Sequence, residues 1–200
     1  FFALDAQRAS LFLLLFHDAR GEKIYLRDVD ATAVVSTATQ AGVTVRYGGF
    51  AQVNAEVLCL AQAESTGFVR WRIQVKVPDG TTLRSVQYPC FNLAAPLGSS
   101  VDDDALVWGA SKGGIQRRPG AQKEGTRASI SQPGNMAAQF GCYYDDRAGF
   151  YTAAYDAKGY PKDLLQTRTK TGVELSWYRA CFEQKLYVQD YDVEIGRAHV

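Results

Sequence analysis

The sequence predicts an all-β chain folded as a two-layer antiparallel β-supersandwich, and three observations carry that expectation. Apolar and polar residues alternate in about fourteen short runs. The clearest is Gly67 to Val77, where Phe68, Arg70, Arg72, Gln74 and Lys76 share one face and Val69, Trp71, Ile73, Val75 and Val77 the other. The runs are separated by Asp-x-x-Gly and Pro-Asp-Gly turns, and no stretch shows a convincing helical period. A strongly twisted open sheet rarely exceeds about ten strands, so this many strands divide into two sheets packed face to face.

In chain order, Phe1 to Leu4 reads as the remnant of a strand. Leu11 to Phe16 is a buried strand, His17 to Gly21 a turn, and Lys23 to Arg27 the returning partner. Ala33 to Thr37 and Val43 to Tyr47 alternate with polar residues, and Val53 to Ala61 pairs with Gly67 to Val77. At Pro78-Asp79-Gly80 the proline presets φ and the glycine accepts a positive one, which makes a turn before Thr82 to Tyr88. Pro89 is expected to end that strand. From Cys90 to Ser131 the pattern loosens, with short strands only at Ala105 to Trp108 and Arg127 to Ile130, so a covering loop is expected there.

The stretch Ala138 to Lys162 fixes local geometry most firmly. Gln139 to Tyr144 places Phe140, Cys142 and Tyr144 on one face and Gln139, Gly141 and Tyr143 on the other. Asp145 to Gly149 turns the chain, Phe150 to Tyr155 returns, and Asp156 to Gly159 repeats the device before a third strand starts at Tyr160. The expected product is a three-stranded antiparallel meander with Gly149 in the left-handed region. Leu164 to Thr169, Val173 to Phe182 and Leu186 to Val193 complete the set.

Composition excludes several classes. An apolar share of 46 % supplies a real core, and a net charge of +1 with scattered signs gives no basic surface for nucleic acid or an anionic membrane. The longest apolar run, Leu11 to Phe16, is far short of the roughly 20 residues a bilayer span needs. Cys59, Cys90, Cys142 and Cys181 form no C-x-x-C pair and read as apolar strand residues rather than disulfides. Residues 194–200 match translated sequencing adapter. Residues 1–193 are therefore expected to be one sandwich domain cut from a longer reading frame at both ends, with His17 the remaining histidine. The compartment, secreted or periplasmic or otherwise, stays open.

No catalytic constellation, metal site or cofactor pattern emerges. His17 ends an apolar strand before a turn, where it is a poor base for a nucleophile. Asp102, Asp103 and Asp104, and Asp145 with Asp146, are carboxylate clusters in turns, readable as acid/base pairs or as solvated turn formers. The aspartate run lacks the alternating spacing of a calcium loop, and the glycine-rich Lys112 to Gly114 precedes no helix that would bind phosphate. Aromatics are the better lead. Trp71, Trp108 and Trp177, with Tyr143, Tyr144, Tyr151 and Tyr155, offer ring faces to sugars. Trp108, in the loose region, is the expected exposed ring, with Asp103 and Asp104 beside it as the candidate substrate-binding carboxylates.

The order of Tyr88-Pro89-Cys90-Phe91, Asp102 to Val107, Gly113-Gly114, Pro133-Gly134, Gln139-Phe140, Tyr144-Asp145-Asp146, Gly149-Phe150-Tyr151, Tyr155-Asp156, Gly159 and Lys162 resembles the N-terminal β-sandwich of a group of large glycoside-hydrolase-like proteins. Tyr191-Asp192-Val193 looks like its last strand. The resemblance implies a galactose-mutarotase-like sandwich preceding a (β/α) barrel that carries the catalytic carboxylates, with α-galactosidase-like enzymes among the wider relatives. No catalytic residue carries over, because the barrel is absent. The implied role is a non-catalytic sandwich whose partner is the downstream barrel of the same chain. A carbohydrate-binding module using Trp108 is the alternative, and an activity built on His17 and Asp102 to Asp104 a third reading.

Overall fold

The computed structural model describes residues 10–197. The expected strand at Phe1 to Leu4 and residues 198–200, with His199, lie outside the described residues. The chain passes through β1 (Leu13–His17), β2 (Lys23–Arg27), β3 (Ala33–Thr39), β4 (Gly42–Gly48), β5 (Glu56–Ala63) and β6 (Val69–Lys76). It continues through β7 (Thr82–Ala94), β8 (Ala105–Ala110), β9 (Gly114–Arg117), β10 (Arg127–Gln132) and β11 (Met136–Tyr144). The last strands are β12 (Gly149–Tyr155), β13 (Lys162–Arg168), β14 (Gly172–Glu183), β15 (Leu186–Val188) and β16 (Asp192–Arg197). No α-helix occurs among the described residues, and none of their helical turns is long and apolar enough to cross a membrane.

These strands form two antiparallel sheets, so the all-β sandwich is as expected. One sheet has six strands in the order β10-β13-β14-β7-β1-β2. The other has ten, in the order β3-β4-β5-β6-β16-β12-β11-β8-β9, with β15 also paired to β6. The residues between the sheets form two adjoining cores. Phe12, Leu14, Phe16, Ile73, Val75, Leu83 and Tyr88 belong to one, and Leu106, Tyr143, Phe150, Leu164, Leu175 and Trp177 to the other. Trp71 packs against both. Its ring meets Tyr88 and Phe91 edge-on, with centroids 6.4 and 5.3 Å away, and Phe91 continues the chain of rings to Phe150 at 5.4 Å. Such tilted arrangements suit the quadrupoles of the rings.

Polar ties also cross between the layers. The buried Trp177 indole N–H, on the six-stranded sheet, donates to Thr152 Oγ1 on the ten-stranded sheet at 2.9 Å. A stronger tie sits where the chain itself crosses. The expected third meander strand does not pair with β12: β12 lies between β11 and β16, whereas β13 lies between β10 and β14 in the other sheet. Asp156 to Gly159 is therefore an arch between sheets. Asp156 Oδ1 accepts from the Lys158 and Gly159 amides at 2.9 and 3.1 Å, and Oδ2 from the Tyr160 amide at 2.7 Å. Gly159 takes the positive φ of 67° that closes the turn.

The same Oδ2 lies 2.5 Å from the Lys162 ammonium, and the two side chains are 1 % and 0 % exposed. Lys162 also donates to the Tyr160 carbonyl at 2.8 Å and sits 5.1 Å over the Tyr191 ring. Burial pushes the Asp156 carboxyl up, but Lys162 and the backbone amides outweigh it and hold the group below the usual range. Burial pushes the Lys162 ammonium down, and Asp156 only partly offsets this. A buried pair of this kind is tolerated because both carboxylate oxygens accept two hydrogen bonds each and the ammonium donates two beneath the Tyr191 ring.

Other departures have local causes. β7 runs through Pro89 to Ala94 because the register with β14 shifts there: Cys90 pairs with Ser176 and Gln87 with Tyr178, so Tyr88 and Pro89 oppose Trp177 alone. A bulge is one of the few places where a sheet tolerates a residue without an N–H. The segment expected to be a loop contains the end of β7 and the hairpin β8–β9. Gly149 has no positive φ and begins β12, because Asp145 Oδ1 closes that turn through the Arg147 and Ala148 amides at 2.8 and 2.6 Å. Residues 194–197, read from the sequence as translated adapter, pair with β12 as the end of β16. All four cysteines are unpaired, with Cys59, Cys90 and Cys181 buried and Cys142 half-buried.

The run Leu186 to Val193, expected as one strand, is broken. β15 pairs with Gln74 to Lys76 and β16 with Val69 to Trp71, so both share one side of β6. Gln189 fills the break: its amide nitrogen donates to the Trp71 and Tyr191 carbonyls at 3.2 and 3.0 Å.

Replacing Lys162 with Met strands a buried carboxylate and is expected to cost about 3–5 kcal/mol in urea unfolding, with Asp156→Asn in the same chain restoring much of the loss. Because the folded Asp156 titrates below its unfolded value, its contribution is full above the ordinary aspartate range and disappears as pH falls through the folded value. An Asp156→Asn chain should therefore show a shallower acid branch of stability against pH. Gln189→Leu leaves two carbonyls without their donor and should cost about 1–3 kcal/mol, against less than about 0.5 kcal/mol for Leu at the exposed Gln74.

Candidate functional site

Trp108, Asp103 and Asp104 do not form one exposed surface. Trp108 is 8 % exposed and belongs to the second core, flanked on its neighbouring strands by Gly114 and Gly141. The expectation of an exposed ring is corrected: alternation along β8 turns Leu106 and Trp108 into the second core together. Asp104 is also buried, at 1 % exposure. Its carboxylate accepts from the Leu97 amide at 3.2 and 3.3 Å and from the Tyr143 hydroxyl at 2.5 Å. Burial raises its pKa, and those hydrogen bonds only partly offset this. Asp103 is exposed on the adjoining turn, and Asp102 pairs with Arg118 at 3.4 Å on the surface. His17 ends β1, half-buried. Among the described residues no group of three or more His, Cys, Asp or Glu could hold a metal ion.

A different surface collects aromatic rings on the outer face of the ten-stranded sheet. Alternation turns Phe150, Thr152 and Ala154 of β12 inward, which sends Tyr151 and Tyr155 outward. On β11, Tyr143 points inward and Phe140 and Cys142 outward. The Phe140 and Tyr151 rings stack with centroids 6.1 Å apart at 22°, and Phe68, just before β6, meets Tyr151 edge-on at 5.8 Å. Phe68 lies against Gly196, where a Cβ would stand 2.3 Å from its ring. Gly196 pairs with Tyr151 in the ladder, so the missing side chain lets the two rings meet.

Next to this platform opens a shallow cavity of about 570 Å³, lined by Gln132, Gln139, Phe140, Tyr151, Tyr155 and Asp156, among others. Tyr155 is 56 % exposed. Burial, the Tyr155 hydroxyl and the Glu194 carboxylate push the Tyr151 hydroxyl up, so it stays a neutral donor and acceptor. On the far side of the rings runs a charged row: Arg70 reaches Asp192 at 3.3 Å and Glu194 and Glu64 at 3.5 Å, and Arg72 pairs with Asp192. Ring faces beside amides and carboxylates can hold the C–H face of a sugar and its hydroxyls. They supply no nucleophile with an adjacent base.

The six-stranded sheet has its own outer groove, a cavity of about 500 Å³ bordered by Leu13, Gln87, Arg127, Leu165 and Glu174. The Gln87 amide donates to Glu174 at 3.3 Å and to Ser176 at 2.8 Å. Burial pushes the Glu174 carboxyl up, with Arg127 in partial opposition. No aromatic ring lines this groove, and its amide is already committed. Sequence reasoning had named Tyr151 and Tyr155 but not Phe68 or Phe140; the outward register of Phe140 with Cys142 was the available signal.

No protein-family model and no curated protein matches the sequence. Solved structures do. An α-N-acetylgalactosaminidase from Bifidobacterium bifidum, in complex with GalNAc, superposes with a TM-score of 0.65 at 12 % identity, over 98 % of this chain and 31 % of that one. An α-galactosidase from Lactobacillus brevis gives 0.59 at 9 % identity, over 92 % and 28 %. A GH36 α-galactosidase from Geobacillus stearothermophilus gives 0.55 at 12 %, over 92 % and 29 %. The chain spans under a third of the length of these enzymes, and the likeness is one of fold. Its β-sandwich is the fold of a part of α-galactosidase and α-N-acetylgalactosaminidase chains, as the sequence resemblance implied.

Proposed function

We propose that the chain is the non-catalytic N-terminal β-sandwich of a glycoside hydrolase and that it flanks a catalytic barrel following it in the parent chain. The observation that carries this reading is the match of nearly the whole sandwich to under a third of the glycosidase chains. The inward carboxylates agree with a scaffold role: Asp104 and Asp156 are spent on backbone amides and on Tyr143 and Lys162. The test has two arms. Codons after Val193 in the parent gene should encode alternating strands and helices. The 200-residue chain should leave 4-nitrophenyl α-galactoside and its N-acetylgalactosaminide intact while the parent protein hydrolyses one of them. Turnover by the short chain alone overturns the proposal.

The platform of Phe140, Tyr151, Phe68 and Tyr155 supports a second reading, contact with carbohydrate through the sandwich itself. On a glycan array, Tyr151→Ala should then weaken any specific binding roughly tenfold, about 1.4 kcal/mol, with the melting temperature little changed. Trp108→Ala should instead cost about 3–5 kcal/mol of stability, because its indole is core. The absence of specific binding by the unsubstituted chain ends the second reading and leaves the scaffold role untouched.

A further inference from the structure

Among the described residues, four strands end the two sheet orders, while β15, three residues long, also has β6 as its single partner; the four end strands differ in one respect. β2 carries Lys23 and Arg27, β9 carries Arg117 and β10 carries Arg127. Charges on an edge discourage pairing with another chain. β3 carries none, and the sequence holds no ionisable side chain from Ala31 to Val45. All seven residues of β3 are exposed, Val34 by 54 % and Val35 by 62 %, and none belongs to either core. It is also the longest of the four edges and contains no proline.

Among the described residues, β4 is the one strand paired to this edge. The two-residue loop Gln40–Ala41 makes Thr39 and Gly42 the closing pair of the β3–β4 hairpin. Antiparallel alternation then turns the N–H and C=O groups of Val34, Ser36 and Ala38 away from β4.

We propose that β3 is a self-association edge: a second copy of this chain adds its own β3 antiparallel across a two-fold axis, continuing the ten-stranded sheet through the dimer. The argument for a second copy is one of charge. Two-fold pairing sets the strand against itself, so a charge near the axis would face its own like, which is destabilising. The uncharged Val-Val-Ser-Thr centre meets that condition, and Thr, Ser and Val make favourable cross-strand pairs. Pairing uses up the edge on both copies, so assembly closes at two. This inference does not depend on the glycosidase reading.

Sedimentation of the 200-residue chain across a dilution series, with amide hydrogen exchange, tests it. The expected result is a concentration-dependent dimer whose Val34, Ser36 and Ala38 amides are protected and lose protection on dilution. Thr37→Lys places like charges across the axis, and Ser36→Pro removes an outward N–H. Both should abolish the dimer without changing the circular dichroism, or the melting temperature measured at dilutions where the unsubstituted chain is monomeric. A chain that stays monomeric at every concentration overturns the proposal. So does a dimer that survives Thr37→Lys, or one whose protection appears on β2, β9 or β10 instead.

Discussion

Two sheets lying face to face have no hydrogen bonds of their own to hold their relative position, so what fixes it has to be carried by side chains and crossings. In this chain the decisive constraint is the buried Asp156–Lys162 contact. It sits where the backbone leaves the ten-stranded sheet after β12 and enters the six-stranded sheet at β13. A desolvated carboxylate and ammonium tolerate little displacement, because each lost contact uncovers a charge in a low dielectric. That sensitivity fixes the ends of both strands. With β12 held, its inward Thr152 meets the Trp177 indole and its outward Tyr151 meets Phe140 and Phe68. The same few residues thus align the core and the outer aromatic surface.

Much of the architecture was legible because half-buried strands advertise themselves by alternation. The burial of Ile73, Val75 and Val77 against the exposure of Arg72, Gln74 and Lys76 follows the written pattern. What escaped depended on partners far away in sequence. Pro89 ends a strand by local rules, and only the bulge opposite Trp177 allows β7 to continue. Asp145 and Asp156 start similar turn motifs, yet one makes a hairpin and the other an arch. The distinguishing sign was Lys162, a cation on the inward register of Leu164 and Gln166, which requires a buried partner.

The expectation of exposure failed at Trp108 in an instructive direction. A tryptophan among glycines, serines and aspartates suggests exposure, but alternation along β8 carries Trp108 inward with Leu106. The aspartates beside it divide by register, Asp104 inward and Asp103 outward. Conversely, Phe140 and Phe68 look like core residues in isolation. They lie outside because alternation puts them on the face opposite Tyr143 and Val69, and Gly196 leaves Phe68 a flat seat. Fold and ligand surface follow different rules here, so recognition of the sandwich does not locate what it touches.

The unpaired cysteines give the molecule a built-in reporter. Burial pushes all four thiols up, that of Cys181 to about 11, so at neutral pH they are protonated and poor nucleophiles. Cys59 and Cys181 sit in one core; Cys90, on β7 opposite Ser176 of β14, belongs to neither core, and Cys142 lies opposite Tyr151 beneath the aromatic surface. Alkylation of Cys59 and Cys181 therefore times the opening of the sandwich. Alkylation of Cys142 follows the covering of the outer face, so a single reagent separates unfolding from occupancy.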